Sequence, residues 1–436
     1  MRAQRVTVHL LSLAVLLGLA ALVLLSPVAA SGVTGGQATF CLGFVLLFGY
    51  YTARLLAALR LPAITSYILV GVICGPFVVD LLSADVVASL RRLDDVALAI
   101  IALIAGGEMR WHRLRARAGA FARVIGWQLV CSLVGAVGIV FLLRDRLGGI
   151  AVTGGAQVLA LGLLFTLVTV ARSPATTIGV VTELRARGPL TEAVVGVTVL
   201  IDVLILTLAA IVLPAAETLF LGEPFSTAFA RDLAVELFGS AAAGLFLGAF
   251  IHVYIRWVTG YLPLLLLGVG LLGSEICHHY HLSPLLAFMI AGFYVQNFSA
   301  LGKRLIAGLE RSAFPVYVLF FAISGASIDL GALRASWVLA LALVVMRAAA
   351  FFVGSLAAAR TVPDLRRWGN SLWSGFLAQA GVTIGIAALV ARRFSWGAEF
   401  ETIVLAVVAV NQLAGPVALK LLLERSGEAG GMDRDR

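Results

Sequence analysis

Charged side chains are scarce in this chain. Only 13% of its 436 residues are Asp, Glu, Lys or Arg, whereas 61% are hydrophobic. A soluble domain of this length needs more polar side chains to cover its surface, so the balance excludes a soluble protein. Apolar stretches of about 20 residues, the length that crosses a bilayer, recur along the chain. The composition therefore predicts an all-α polytopic membrane protein.

Cysteine is also rare, and no metal-binding or redox motif is recognisable. The chain has four cysteines, none of them in a CxxC pair, and all lie in or beside apolar runs, as small hydrophobic residues do. The stretch EICHHYH at residues 275–281 is open to two readings. It is either a polar outward loop, which we favour, or a metal or pH-sensing site. We predict no metal, no cofactor and no enzymatic activity.

Fourteen apolar spans are predicted. They are 7–27, 38–58, 63–82, 93–111, 120–144, 156–184, 191–214, 232–255, 261–275, 283–298, 308–328, 336–358, 369–391 and 402–424. If residues 31–37 lie outside, basic residues are more frequent in the inward loops. This asymmetry accounts for the net charge of +9 without a nucleic-acid partner. It predicts a protein of the inner membrane with a cytoplasmic C-terminus.

The two ends of the chain are predicted separately. Residues 1–30 combine a basic start, an apolar run and small residues at 28–30, so they form either a cleaved signal peptide or a retained first helix. Residues 31–425 form the transmembrane domain. Residues 426–436 form a short polar tail on the cytoplasmic side.

Three pairs of segments indicate an internal duplication. TTIGVV at 176–181 aligns with VTIGIA at 382–387, LPAITSYILVGV at 61–72 with LSPLLAFMIAGF at 282–293, and LIAGGEM at 103–109 with AISGASI at 322–328. The matches keep the same order, which favours a repeat. Repeat one covers 38–214 and repeat two covers 261–424, joined by a single span at 232–255. An odd number of spans between them inverts the second repeat, as in transporters.

Both Thr-Ile-Gly stretches contain residues that interrupt helices. Pro174 cannot donate a backbone hydrogen bond, and Gly381, followed by Thr383, weakens the second span. Broken helices at equivalent places in inverted repeats mark a transport site, because freed backbone groups in a membrane must line a cavity or be buried. The alternative is that both residues only kink ordinary helices.

Few ionisable residues fall inside the spans, and each needs a reason to be there. Asp202 lies near the centre of span 191–214 and can hold either a cation or a proton. Three hydroxyls of the first break are candidate partners in an oxygen shell for a monovalent ion: Ser173, Thr176 and Thr177. The alternative is a structural Asp paired with a buried Arg.

Three further charges are predicted partners of this site. Arg347 keeps its proton, so it either pairs with the carboxylate of Glu108 or Asp202 or neutralises the ends of the broken helices. Arg172 precedes the first break. It either points towards Asp202 or extends to the membrane surface.

The chain resembles the monovalent cation:proton antiporters, in particular the second large bacterial-type family, which includes sodium/proton and potassium-efflux exchangers. The similarity runs over residues 38–424 through LPAITSYILVGVICGP, LIAGGEMRWHRLRARA, ARSPATTIGVVTEL, VLIDVL, LSPLLAFMIAGFYVQN, FPVYVLFFAISGASIDL and FLAQAGVTIGIAAL. It implies crossed, broken helices in a mobile domain, a panel of helices for homodimerisation, and Asp202 as the carboxylate shared by cation and proton. It also implies that Arg347 accompanies electroneutral exchange of Na⁺ or K⁺ for a proton.

Two residues depart from that family pattern. Ile201 stands where relatives carry a polar residue before the Asp, and Arg172 stands where they carry a small polar residue. A single carboxylate favours one proton per cation. The departures leave two other functions open. One is a non-transporting membrane sensor or scaffold with the same fold. The other is a sodium-coupled symporter for an organic anion that Arg172 or Arg347 binds.

Overall fold

The computed structural model describes residue 18 and residues 35–430, except 145–146, 148–149, 151, 153, 223–227, 258–261, 300–301 and 380. The described part of the chain is helical and contains no strand. Most of the segment predicted to be a signal peptide or first helix, residues 1–30, lies outside the described residues, as does the end of the predicted tail from 431 onward.

Fourteen α-helices are present in the described residues. They are α1 Gly35–Leu56, α2 Ala63–Cys74, α3 Ala84–Glu108, α4 Trp111–Leu143, α5 Gly155–Val170, α6 Pro174–Glu183, α7 Pro189–Leu221, α8 Ala228–Trp257, α9 Leu262–His279, α10 Pro284–Phe298, α11 Gly302–Ala326, α12 Leu330–Thr361, α13 Gly381–Arg393 and α14 Gly397–Ser426. Three short 3₁₀ segments, Ala57–Leu59, Pro363–Trp368 and Leu372–Phe376, complete the described elements.

Seven segments of the described chain are long and apolar enough to cross a bilayer. They are Thr39–Leu59, Arg115–Leu143, Gly155–Glu183, Pro189–Leu221, Arg231–Trp257, Leu330–Thr361 and Gly397–Ser426. Shorter apolar helices lie between them, among them Ala63–Cys74 and Pro284–Phe298. The chain is a multi-pass membrane protein.

The helices divide into two compact units. The first unit contains the chain up to Glu108 and Ser240–Ile328, and the second contains Met109–Gly239 and the chain from Asp329. In the first unit, α2 packs against α11 and α3 packs against α10. In the second unit, α12 packs against α4 and α14, and α7 packs against α5 and α6.

Glycine allows the closest helix contacts of the first unit. A Cβ at Gly71 of α2 would collide with the carbonyl of Ala322, and one at Gly292 of α10 would collide with the carbonyl of Leu103. Without a side chain, each glycine lets two helix backbones approach directly, as small residues do in membrane proteins. The two glycines are 221 residues apart, which is the offset of the sequence match between 61–72 and 282–293.

Several predicted boundaries differ from the structure. The span predicted at 63–82 is helical only to Cys74, because Gly75 is extended and the backbone then turns through residues 76–79. The stretch predicted as a loop at 275–281 is helical up to His279, since the apolar face of α9 continues to the buried Cys277. No group of three or more His, Cys, Asp or Glu side chains that could hold a metal occurs within the described residues.

Candidate functional site

The first interruption lies between α5 and α6, where the sequence predicts a break. Helix α5 ends at Val170, residues 171–173 are not helical, and Pro174 is the first residue of α6. Proline is well suited to this first position, because a helix has no internal acceptor for that N–H. Ser173 caps α6, and its Oγ accepts from the backbone N–H of Thr176 at 3.2 Å and donates to the Thr176 Oγ1 at 2.9 Å.

The second interruption lies before α13. The 3₁₀ segment Leu372–Phe376 is followed by non-helical residues 377–379, and α13 begins at Gly381. The two interruptions touch, because the backbone N–H of Ser173 donates to the carbonyl of Ala378 at 3.0 Å. Such irregular backbone is tolerated in a membrane only where protein buries it or where it lines a watery cavity. The most apolar window of Gly155–Glu183 is accordingly 89% buried.

The guanidinium of Arg347 joins the two interruptions. From α12 it donates to four backbone carbonyls: Thr169 at 2.7 Å, Ala171 at 3.0 Å, Phe376 at 3.0 Å and Leu377 at 2.6 Å. Two of these carbonyls lie in or directly beside each interruption. The positive charge thus lies at the carbonyl ends, where a helix carries its partial negative charge. These four bonds are those expected of a guanidinium that neutralises the helix ends, one of the two roles predicted for Arg347.

Two amide side chains add a second bridge. Gln379 donates through Nε2 to the carbonyl of Val168 at 2.7 Å, and Asn411 of α14 donates through Nδ2 to the Oε1 of Gln379 at 2.7 Å. Both side chains are almost fully buried. The freed carbonyl of Val168 is satisfied by a side chain 211 residues away, so polar side-chain contacts also join the two interruptions.

Asp202 lies on the buried face of α7 and has unused hydrogen-bonding capacity. The residue is only 6% exposed, and neither carboxylate oxygen has a hydrogen-bond partner among the residues that the structure describes. Thr198 lies one helical turn earlier on the same face, and its buried hydroxyl also has no partner. The buried hydroxyl of Thr383 on α13, which packs against α7, has none either. Oxygen atoms left unsatisfied in an apolar interior are costly unless a ligand uses them.

Arg172 is buried beside this set and does not extend to the membrane surface. Its exposed fraction is 1%, and its guanidinium carbon lies 4.2 Å from the ring centroid of Phe376 and 5.0 Å from that of Phe351. Its Nη2 donates to the Oε1 of Gln128 on α4. The Arg347 guanidinium lies 4.7 Å from the same Phe351 ring, so this ring contacts two cations.

The structure brings most of the predicted site residues into the second unit. These are Ser173, Pro174, Thr176, Thr177, Arg172, Asp202, Arg347, Gly381 and Thr383. Ser173 and Thr176 use their hydroxyls with each other at the start of α6, which leaves them less free for an ion than was predicted. Glu108 ends α3 in the first unit, and its side chain lies outside the described residues.

Four polar residues of the site were not predicted. Gln128, Thr198, Gln379 and Asn411 each stand alone or in a pair inside an apolar run. A lone amide in such a run is a usable signal, because it must find a partner in the interior. Thr198 is also recognisable by its spacing of four residues from Asp202, which places both on one helix face.

Two interrupted helices that meet around a buried guanidinium, next to a buried carboxylate with free oxygens, define a membrane transporter. A sequence profile of the family described as sodium/hydrogen exchanger, transmembrane, matches residues 42–425. The chain therefore belongs to the sodium/hydrogen exchanger family, which confirms the resemblance seen in the sequence. A comparison with curated protein sequences finds no significant match.

Solved structures share the fold. A structure of the sodium/proton antiporter MjNhaP1 from Methanocaldococcus jannaschii at pH 8 superposes with a TM-score of 0.61 and 19% identity, over 91% of this chain and 99% of that chain. A second structure of the same antiporter, from an electron-microscopy map, gives a TM-score of 0.66 and 20% identity over 92% and 100%. At this identity the likeness shows an antiporter fold.

Proposed function

We propose that the protein exchanges a monovalent cation, Na⁺ or K⁺, for a proton by alternately exposing Asp202 to the two sides of the inner membrane. The observation that carries the proposal is the burial of Asp202 with both carboxylate oxygens unsatisfied, in a chain of the sodium/hydrogen exchanger family. A carboxylate in this condition binds a cation when it is ionised and a proton when it is neutral. Because the two ligands exclude each other, one site couples their movements.

The cation ligands come from Asp202 and from hydroxyls around it. Hard monovalent cations prefer oxygen, and the unsatisfied hydroxyls of Thr198 and Thr383 supply it beside the carboxylate. Ser173, Thr176 and Thr177 of the first interruption remain further candidates. Arg347 serves the site indirectly, since its four carbonyl bonds hold both interruptions in place.

The charges of the second unit favour electroneutral exchange. Residue 201, immediately before Asp202, is an isoleucine that is 0% exposed, and no second carboxylate stands beside Asp202 in the sequence. A single carboxylate takes up one proton for each cation it releases. The positive-inside distribution supports a cytoplasmic C-terminus, and a homodimer is expected from the family resemblance.

Two other functions remain candidates for this chain. Arg172 carries two buried N–H-bearing nitrogens without partners, which favours a symporter whose organic anion binds this guanidinium. The isoleucine before Asp202 favours a sensor or scaffold that keeps the fold without transport. The three functions differ in whether an inorganic cation alone collapses a proton gradient.

The test uses the purified full chain in liposomes with an imposed inside-acid gradient, followed with a pH dye while NaCl, KCl or LiCl is added. Wild type is compared with Asp202→Asn, which keeps the shape and removes the negative charge. Glu217→Gln is the matched control, because Glu217 lies on the same helix and pairs with Arg393 at 2.6 Å, away from the interruptions. Exchange in wild type and in the control, with none in Asp202→Asn, supports the proposal.

Other outcomes would reject it. Equal exchange in wild type and Asp202→Asn removes Asp202 from the mechanism. If no cation collapses the gradient from pH 6 to pH 9 in folded protein, we abandon exchange. Sodium uptake that depends on an added organic anion would then identify the symporter.

A further inference from the structure

Arg172 rests in a site that uses only part of its guanidinium. Nη2 donates to the Oε1 of Gln128, and the Phe351 and Phe376 rings face the cation. The amide of Gln128 is oriented by its other end, because its Nε2 donates to the Oγ of Ser355 at 3.0 Å. Gln128 and Ser355 thus form a neutral dock for a positive charge on α4 and α12.

The rest of the guanidinium has no hydrogen-bond partner in the part of the chain that the structure describes. Nε and Nη1 of Arg172 are buried without a hydrogen bond, and so are both oxygens of Asp202. The two groups belong to neighbouring elements, since α7 packs against both α5 and α6 and Arg172 lies between these two helices. Both side chains are buried. Two buried opposite charges on neighbouring elements, each incompletely bonded, can form a direct contact.

We infer that Arg172 is a tethered internal cation that competes with the transported cation for Asp202. Its guanidinium has two resting positions, the Gln128 dock seen here and a pair with the Asp202 carboxylate. When Na⁺ or K⁺ binds Asp202, Arg172 stays on the dock, and when the cation leaves, Arg172 moves to the carboxylate. The inference rests on the proposed function and adds a residue that sets the apparent affinity of the site.

The chemistry of the dock explains why the competition can be balanced. A guanidinium bonds more strongly to a carboxylate than to a neutral amide. The two aromatic faces and the Gln128 oxygen offset part of that difference. Arg347 contacts the same Phe351 ring, and its positive charge repels Arg172 and so acts against the dock. No single interaction therefore makes one of the two positions of the Arg172 guanidinium much more stable than the other.

The experiment measures the cation concentration that gives half-maximal gradient collapse, the KM, for whichever of NaCl, KCl or LiCl drives exchange in wild type. Arg172→Gln removes the internal competitor, so we expect KM to fall about tenfold or more, with a smaller change in maximal rate. Arg172→Lys keeps a tethered positive charge and should retain a KM within about threefold of wild type. Gln128→Leu removes the dock, drives Arg172 to Asp202 and should raise KM.

The opposite directions of these changes separate competition from damage to the fold. Unchanged KM in both Arg172→Gln and Gln128→Leu would overturn the inference while exchange through Asp202 still stands. If Arg172→Gln fails to fold, the KM of Gln128→Leu decides alone, and a value equal to wild type overturns the inference. If Asp202→Asn exchanges as wild type does, the proposed function fails, and the inference fails with it.

Discussion

The backbone N–H of Ser173 donates to the carbonyl of Ala378 at 3.0 Å, so the two interrupted helices are bonded to each other at their breaks. A helix interior satisfies its own backbone groups, and an interruption leaves several without partners. Here the partners come from the other interruption and from three side chains, those of Arg347, Gln379 and Ser173. The breaks are therefore rigidly built features and suit a site that must position ligands accurately.

Removing the Arg347 guanidinium should destabilise the protein. Arg347→Met leaves four carbonyls, three of them in buried hydrogen bonds, without this donor, and the free energy of unfolding should fall by about 3 kcal/mol or more. The measurement is the melting temperature of detergent-purified protein. Arg347→Lys should recover part of the loss, because an ammonium group offers three donors but not the planar fork of arginine. Melting of Arg347→Met at the wild-type temperature would contradict the bridging role.

Thr198→Val should weaken cation binding while preserving the shape of α7. The change removes the unpartnered hydroxyl one turn from Asp202, so KM should rise severalfold, since one oxygen ligand is lost. Thr198→Ser should stay close to wild type. Thr207→Val is the matched control on the same helix, because that exposed hydroxyl only bonds its own backbone at the Val203 carbonyl. The ligand role is wrong if Thr198→Val and Thr207→Val give the same KM.

Glu428 should stabilise the start of the helix that carries Asp202. Its carboxylate accepts from the backbone N–H groups of Leu190 at 2.9 Å and Thr191 at 2.7 Å, and from the Thr191 hydroxyl at 2.8 Å. Glu428→Ala removes a cap and a favourable charge at a helix N-terminus, and we expect a loss of about 1–2 kcal/mol in unfolding free energy.

The control for this change is Glu424→Ala. Glu424 is more exposed and lies 4.0 Å from Lys420 in a pair that contributes little. Both variants are compared with wild type by thermal melting in detergent. A Glu428→Ala protein as stable as Glu424→Ala would exclude the capping contribution.

Gly71→Ala and Gly292→Ala should each disturb the first unit. A methyl group at either position collides with a backbone carbonyl of the facing helix, so the two helices must separate. We expect each variant to melt at a lower temperature than wild type. Gly138→Ala is the control, since its Cβ would meet no atom within 4 Å. If all three variants melt alike, the close helix contacts are not limiting for stability.

The apparent cation affinity should depend on pH in one direction. A protonated Asp202 cannot hold a cation, so KM should rise as the pH falls below the value at which this carboxyl protonates. Competition of one proton with one cation limits the rise to about tenfold for each pH unit. The measurement is gradient collapse against cation concentration at several pH values. A KM that is constant over the whole pH range of activity would mean that proton and cation do not share Asp202.

Much of the fold is readable from the sequence, for reasons that are local. Apolar runs at 191–214, 232–255 and 402–424 correspond to α7, α8 and α14, because a membrane helix needs only continuous hydrophobic length. The interruptions are readable because Pro174 and Gly381 are poor residues inside a helix. The end of α2 at Cys74 is not readable, since the apolar run continues past the residue where the backbone turns away.

Part of the candidate site can likewise be predicted from the sequence, and part cannot. The sequence alone indicates Asp202 as a site residue, because an ionisable group in an apolar membrane span needs a function or a partner. The use of the Ser173 and Thr176 hydroxyls for capping depends on where α6 begins, and the position of Arg172 depends on Gln128, a residue 44 positions away. Neither can be deduced from spacing along the chain.

The amino-acid sequence alone determines that this protein is a helical membrane protein with two interrupted spans and one central carboxylate. These properties follow from hydrophobic length, from the chemistry of proline and glycine, and from the cost of a buried charge. Tertiary structure alone decided that Arg347 bonds four carbonyls of both interruptions and that Arg172 is docked on Gln128 with Asp202 unpaired. The physical reason is that a buried polar group takes its partner from whatever the fold brings within hydrogen-bond distance, and for Arg347 and Thr169 that partner lies 178 residues away.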